Sequence, residues 1–452
     1  MVPRIFTFLI ICALALALAH REESRSKGKL FDDLHLGWLH ANSHVEHSTS
    51  KVLLIALEDG DVPPAERIFQ SWPLSELDYA LLLDNLFQNH PRAVAIEPAL
   101  AWPSDGAPFL DSLATRFQNA PPMVLGSLAE FSEFSAEPTS GGADDALPAT
   151  LERHIRIAAI SGVRDPIPAM TQFLSAPAQK ISGGIPLAVT HIDLGDNVET
   201  PGDGTLRVPL LARVNDDVVA TFPLAALLLH RGIEPDTITV ELGSLIKGPE
   251  LLIPIDEAGR FTLDLDALQP LPKINARLFA LSMSTIDAVN SGAANDVITG
   301  LIESDADYAK VKLLESHLAV VGQNDRGAHR FASGESGSDD DASLSRAEVF
   351  CQTIAAMDIG QQLIKAPPWS DYVIAGTALV LMLGVLRCRR ATVLKTSLLT
   401  ALMLAMGSLL SFQQWHFWFP VFTTLVVLTA GALAAILVSP TTPHPRKETI
   451  SS

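Results

Sequence analysis

The 452-residue chain carries 51 acidic against 32 basic residues, a net charge of −19, and is 48% apolar. That balance argues against nucleic acid or an anionic membrane surface as a partner of its long polar stretch. Of three cysteines, Cys12 and Cys388 lie in or beside apolar runs and only Cys351 lies between them. The central segment therefore has no intrachain disulfide and must hold its fold by core packing, which suits a bacterial periplasm better than a disulfide-rich extracellular module.

At the N-terminus, Arg4 precedes the apolar run Ile5 to Ala19, and Ala17-Leu18-Ala19 resembles a small-x-small cleavage site. Residues 1–19 thus read as a signal peptide or as a retained signal-anchor helix, and either one exports the segment after it. Next come His40, His44 and His47, whose i, i+4, i+7 spacing puts three imidazoles on one face of a helix, a candidate zinc or copper site. Asn42, Ser43 and Ser48 weaken that helix, and a polar linker needs no metal.

Lys51 to Leu57 (KVLLIAL) is a nearly continuous apolar run, as expected of a strand buried on both faces. Ser75 with Asp78 forms a capping-box pattern, followed by a helix with Leu77, Leu81, Leu82 and Leu86 as its apolar face, stopped by Pro91. Ala93 to Ile96 reads as a strand, Phe109 to Phe117 as a helix and Met123 to Leu128 as a strand. That alternation predicts a parallel α/β core.

Ala136 to Thr150 and Gly334 to Ser343 have the composition of loops. Between them the character changes. Arg207 to Val214 and Val218 to Phe222 flank Asn215-Asp216-Asp217, while Leu251 to Ile255 and Arg260 to Leu265 flank a turn with Gly259, two hairpin signals with the helix Leu224 to Leu229 between them. His317 to Gly322 is a further buried strand, and Ser345 to Leu363 a helix. The fold class is therefore α/β: an exported mixed-sheet domain with antiparallel hairpins, residues 20–368, followed by three transmembrane helices.

Those helices are predicted at 369–387, 393–412 and 417–438, each near the roughly 20 residues that cross a bilayer core of about 30 Å. The connection with Arg387, Arg389, Arg390 and Lys395 and the tail 439–452 with Arg446 and Lys447 are predicted to be cytoplasmic, which leaves the large domain outside. Trp369, Tyr372, Trp415 and Trp418 at the outer ends agree with that orientation. Ala430, Gly431, Ala434 and Ala435 form overlapping small-xxx-small pairs, suited to a homodimer or partner contact or to packing on the chain's own spans.

With these pieces in order, the chain resembles the second class of CHASE domains, cyclase and histidine-kinase associated sensory extracellular modules. The resemblance rests on KVLLIAL, Trp72-Pro73-Leu74, AVAIEPAL at 93–100, Asp203 to Leu210, Ile255 to Arg260, LAVVGQND at 318–325 and a final helix leading to closing spans. It implies an exported sensor that delivers its signal to a cytoplasmic cyclase, kinase or similar output domain; the partner expected for this chain is a separate kinase, cyclase or phosphatase. There are departures. Leu57-Glu58-Asp59 stands where the family commonly has Ile-Asp, Ser75 and Glu76 stand near Trp-Pro where it has an Arg, and Phe350-Cys351-Gln352 stands where it often has a His. No output domain is seen in the short tail.

For chemistry, the carboxylates Asp59, Glu97 and Asp203 sit at predicted strand ends and turns, where an α/β sheet gathers ligand groups. With Trp72 and Arg207 they are the candidate ligand-binding set, although solvated turns and a Trp packed over a sheet edge would account for the same residues. The sequence has no HExxH, Walker A, GxGxxG or GxSxG motif, so no enzyme is expected, and nothing in it asks for a cofactor. The expected function is an extracytoplasmic sensor of the cell inner membrane, multi-pass in the lipid bilayer, relaying a stimulus to a separate partner. An envelope scaffold is the alternative and an exported hydrolase using the carboxylates a third.

Overall fold

A computed structural model describes residues 50–58, 72–102, 109–132, 153–190, 205–214, 216–265, 271–280, 310–325, 330–332, 343–360, 373–378, 390–415 and 422–438, with positions 11, 35, 39, 69, 268, 364, 365, 370, 380, 417 and 418. The chain divides into a smaller unit, 1–47, 202–204 and 363–452, and a larger one, 48–201 and 205–362.

The first half of the larger unit runs β1 (Val52–Leu57), α1 (Glu76–Phe87), β2 (Ala93–Ile96), α2 (Leu110–Phe117), β3 (Met123–Ser132), β4 (Ala159–Ser161), β5 (Ala169–Ser175), α3 (Gln179–Ser182) and β6 (Leu187–Val189). After these come β7 (Thr205–Pro209), β8 (Leu211–Val214), β9 (Asp217–Ala220), α4 (Phe222–Arg231), β10 (Thr239–Glu241), β11 (Leu245–Gly248) and β12 (Leu251–Pro254). The unit closes with β13 (Arg260–Asp264), β14 (Lys273–Asn275), β15 (Leu318–Gln323), β16 (Arg330–Ala332), β17 (Ser343–Ser345) and α5 (Arg346–Ile359).

Five strands in the order β14-β1-β15-β2-β3 lie parallel, and the sheet continues as β3-β5-β8-β9 with β6 also on β3. Every residue of β1 and β2 is buried, because helices cover both faces. Side chains of a strand alternate between faces. Val52, Leu54, Ala56, Ala93, Ala95, Leu318 and Val320 pack with α4 and α5, while Leu53, Ile55, Leu57, Val94, Ile96, Ala319 and Val321 pack with α1 and α2.

The mixed α/β class and the first three strands agree with the sequence reading, but β15 enters between β1 and β2. The α1 capping box is present: the Ser75 hydroxyl accepts from the Asp78 N–H and the Asp78 carboxylate from the Ser75 N–H, at 3.2 and 3.1 Å. Its apolar face is rotated from the expected one. Leu77 and Leu81 are 41% and 45% exposed, and Tyr79, Leu82, Leu83 and Leu86 are buried. Apolar residues occupy eight of its twelve positions, including the unbroken run Tyr79 to Leu83, so its period does not single out a face.

Of the two hairpins, β8–β9 forms, with Val214 opposite Asp217. The second does not close: Gly259 makes its turn at φ +70°, yet β12 pairs with β11 and β13 with β7. The sequence reading lacked β11, the strand that takes β12.

The smaller unit contains β18 (Ile364–Lys365), α6 (Arg390–Trp415), β19 (Phe417–Trp418) and α7 (Phe422–Val438), with residues 373–378 also helical. Among the described residues one helix, α6 over 395–412, is long and apolar enough to cross a membrane by length and composition. The run predicted at 417–438 is shorter as a helix, because Phe417 and Trp418 pair as a strand with Ile364 and Lys365. His35 Nε2 lies 3.3 Å from Ser408 Oγ, and Leu39 packs on Phe412 and Leu409.

Candidate ligand site at the carboxyl edge of the sheet

Parallel strands that end together bring their following residues to one edge. Leu57 is in register with Gln323, Ile96 with Leu125 and Ala56 with Asn275. Glu58, Glu97, Asn275 and the run Gln323-Asn324-Asp325 therefore collect at the carboxyl ends of four adjacent strands, the edge where open α/β sheets hold ligands.

Two glycines make room at this edge. A Cβ on Gly126 would lie 2.2 Å from the Glu97 carbonyl oxygen, and one on Gly322 would lie 2.3 Å from the Ala347 Cβ. The second approach lets the first turn of α5 sit directly on β15. That turn is fixed by its own capping box: Ser345 Oγ accepts from the Glu348 N–H at 3.1 Å and Glu348 Oε2 accepts from the Ser345 N–H at 2.8 Å.

Arg346, the first residue of α5, is thereby aimed at Glu97. Its Nε donates to Glu97 Oε1 at 2.5 Å and its Nη2 donates to the same oxygen. Glu97 Oε2 faces the Gln323 N–H at 3.4 Å. Glu97 is 1% exposed, so the guanidinium is what makes its burial tolerable.

Beside this pair, Glu58 Oε1 accepts from Asn324 Nδ2 at 2.8 Å and pairs with Lys273 Nζ at 2.5 Å, while Oε2 accepts from Asn275 Nδ2 at 3.1 Å. Lys273 also stands 3.9 Å from Glu348, and Gln323 Nε2 donates to Asp325 Oδ1 at 2.8 Å. The result is a network of four carboxylates and two cations among the described residues, reaching from β14 to the start of α5.

The field of this edge reaches the core on both faces. Burial, with the Glu97 charge added, holds the Tyr79 phenol far above its ordinary value, and Tyr79 packs edge-on to Trp102 at 5.8 Å. Burial, then Glu348 and Glu97, likewise push the Cys351 thiol up, so this free cysteine stays a neutral core residue. Midway along β3, where it pairs with β6, Ser127 Oγ lies 3.0 Å from His154 Nε2 and 3.2 Å from the Ala188 carbonyl, which satisfies a fully buried hydroxyl.

Of the residues singled out by sequence, Glu97 lies in this network. Trp72 is half-buried against the core on the α1 side, and Arg207 is exposed on β7 opposite Thr262. Asp59, Asp203, His40, His44 and His47 lie outside the described residues. Among those described, no group of three His, Cys, Asp or Glu side chains is placed to hold a metal ion. In α7, Ala434 is fully buried, Gly431 is buried and Ala430 partly so, while the side chain of Ala435 is outside the described set.

Sequence reading missed Glu58, Lys273, Asn275, Asn324, Arg346 and Glu348. A signal existed for several: Glu58 and Gln323-Asn324-Asp325 directly follow buried apolar runs, and Ser345-Arg346-Ala347-Glu348 is a capping-box motif.

The fold is thus a helix-covered, largely parallel sheet with a polar network at its carboxyl edge. The chain matches the CHASE2 domain family over residues 6–385 and belongs to that family. CHASE2 is an extracellular sensory domain, and a sensory role is consistent with what the chain contains. No curated protein and no solved structure matches the chain.

Proposed function

We propose that this chain is the signal-input protein of a bacterial inner membrane, with its larger unit outside the cytoplasm and its closing helices relaying the stimulus to a separate kinase, cyclase or phosphatase. The observation that carries this reading is helix α5. It starts with Arg346 inside the carboxyl-edge network and ends at Gly360, in the left-handed conformation, shortly before the smaller unit resumes at Leu363. A change at the network therefore acts on the element that the chain itself joins to the membrane segment. Four carboxylates against two cations favour a ligand rich in hydrogen-bond donors. The relay uses binding and helix movement, with no catalytic step.

Charge supports this orientation. Arg387, Arg389, Arg390 and Lys395 cluster before and within the start of α6, and Arg446 and Lys447 come after α7. Reporter fusions after Lys395 and after Ser452 are expected to behave as cytoplasmic, and one near Gln413 as periplasmic. A periplasmic signal at Ser452 would contradict the orientation and remove the relay with it.

A further inference from the structure

The opposite, amino edge of the sheet carries a second set of ionisable groups. Val52, Leu318 and Ala93 are in register across β1, β15 and β2, so Lys51, His317 and Arg92 form a row directly before them. Helix α4 ends above this row. It starts with Pro223 in its first turn and stops at Gly232, φ +66°, whose N–H returns to the Leu228 and Leu229 carbonyls. That stop fixes His230 and Arg231 in the last turn.

Arg231 reaches the other helix on this face of the sheet. Its Nε donates to Asp358 Oδ1 at 2.7 Å and its Nη2 to the Asp358 carbonyl, tying the end of α4 to the last turn of α5. At their other ends the same helices meet through Phe222 and Phe350, ring centres 5.3 Å apart. His230 is 3% exposed, and its Nδ1 is buried without a hydrogen-bond partner among the described residues.

We propose that His230 makes this junction a pH-sensitive latch: uptake of a proton by its ring loosens the α4 end from α5, the helix that leads to the membrane segment. The charged groups facing His230 are Asp358 on α5, Arg231 on its own helix, and Arg92 and His317 from the strand row. Asp358, already paired with Arg231, is the attractive one. Arg92, Arg231 and a protonated His317 all repel an imidazolium. His317 itself faces Lys51 and Asp358, and its Nδ1 lies 2.9 Å from Ser316 Oγ.

The sign is set by burial. Desolvation, with the neighbouring cations, lowers His230 to about 4 against an ordinary 6.5, and burial lowers His317 as well. A base whose folded value lies below its unfolded value contributes its full stability above about 6.5 and loses it as pH falls toward about 4. Between pH 7 and pH 5 the opening constant of the latch rises on the order of 20-fold by this linkage.

The test uses the full chain in lipid nanodiscs. Amide exchange over 222–231 and 346–359, corrected for the intrinsic pH dependence of exchange, is measured at pH 7 and pH 5. The expected result is a rise on the order of 20-fold in the wild type, reduced severalfold in His230→Gln. An equal rise in both proteins, or none in the wild type, overturns the latch. Should His230→Gln fail to fold at pH 7, an NMR titration of the His230 ring in the wild type decides: a midpoint below about 5.5 supports the latch and one above it overturns it. The exchange is read at the two helices themselves, so failure here leaves the relay standing.

Discussion

Arg346→Ala is expected to destabilise the larger unit by about 3 kcal/mol, because it leaves the Glu97 carboxylate buried without its cation. Breaking one side of a buried pair costs about 3–5 kcal/mol, and the lower end applies here because the Arg346 side chain is 22% exposed and partly screened. The pair itself adds little net stability, since burying both charges offsets most of their attraction. The double variant Glu97→Gln with Arg346→Met is therefore expected to recover most of the loss. Denaturant unfolding of the full chain in detergent, followed by near-UV circular dichroism, checks both values. A loss below about 1 kcal/mol in Arg346→Ala would place the pair in the range of exposed surface bridges.

Gly322→Ala is expected to destabilise the same unit by about 3 kcal/mol, at the upper end of what overpacking a tight contact costs. The added Cβ would lie 2.3 Å from Ala347 Cβ, well inside contact distance, and neither the central strand β15 nor the capped first turn of α5 can yield alone. Lifting α5 to relieve the clash also pulls Arg346 from Glu97. The two predictions are thus coupled, and Arg346→Ala combined with Gly322→Ala is expected to cost less than the sum of the singles. Ala347→Gly placed with Gly322→Ala should restore part of the stability, less about 0.5–1 kcal/mol for glycine in a helix. Simple additivity in the unfolding measurements would show that the helix does not lift.

What the sequence makes legible is what local pattern encodes. KVLLIAL reads as a doubly covered strand and Ser75 with Asp78 as the start of a helix, and both form. The insertion of β15 between β1 and β2 has no local signature, because in a parallel sheet any strand of that composition fits either neighbour. The same limit applies to the site. Glu97 stands out as a carboxylate after a buried strand, but its partner Arg346 is 249 positions away, joined by a sheet order that is not written in either segment. His230 looks like one more residue near a helix end. Only the packing of α4 on α5 reveals that its ring is sealed beside Asp358 and Arg231. The turn at Gly259 is visible, whereas the partner of each strand leaving it depends on β7 and β11 elsewhere in the chain.

The relay makes one demand that a static envelope scaffold does not: altering the carboxyl-edge network must change the contacts of the closing helices. The most direct measurement places a photocrosslinking residue at Leu433, an exposed position of α7, in native membranes. Crosslinked species are compared between this protein and the same protein carrying Glu97→Gln with Arg346→Met, at equal expression and with both larger units folded. A working relay shifts the identity or yield of the crosslinks from Leu433 between the two. Identical crosslinks would contradict it and leave the larger unit a folded domain whose state never reaches the closing helices.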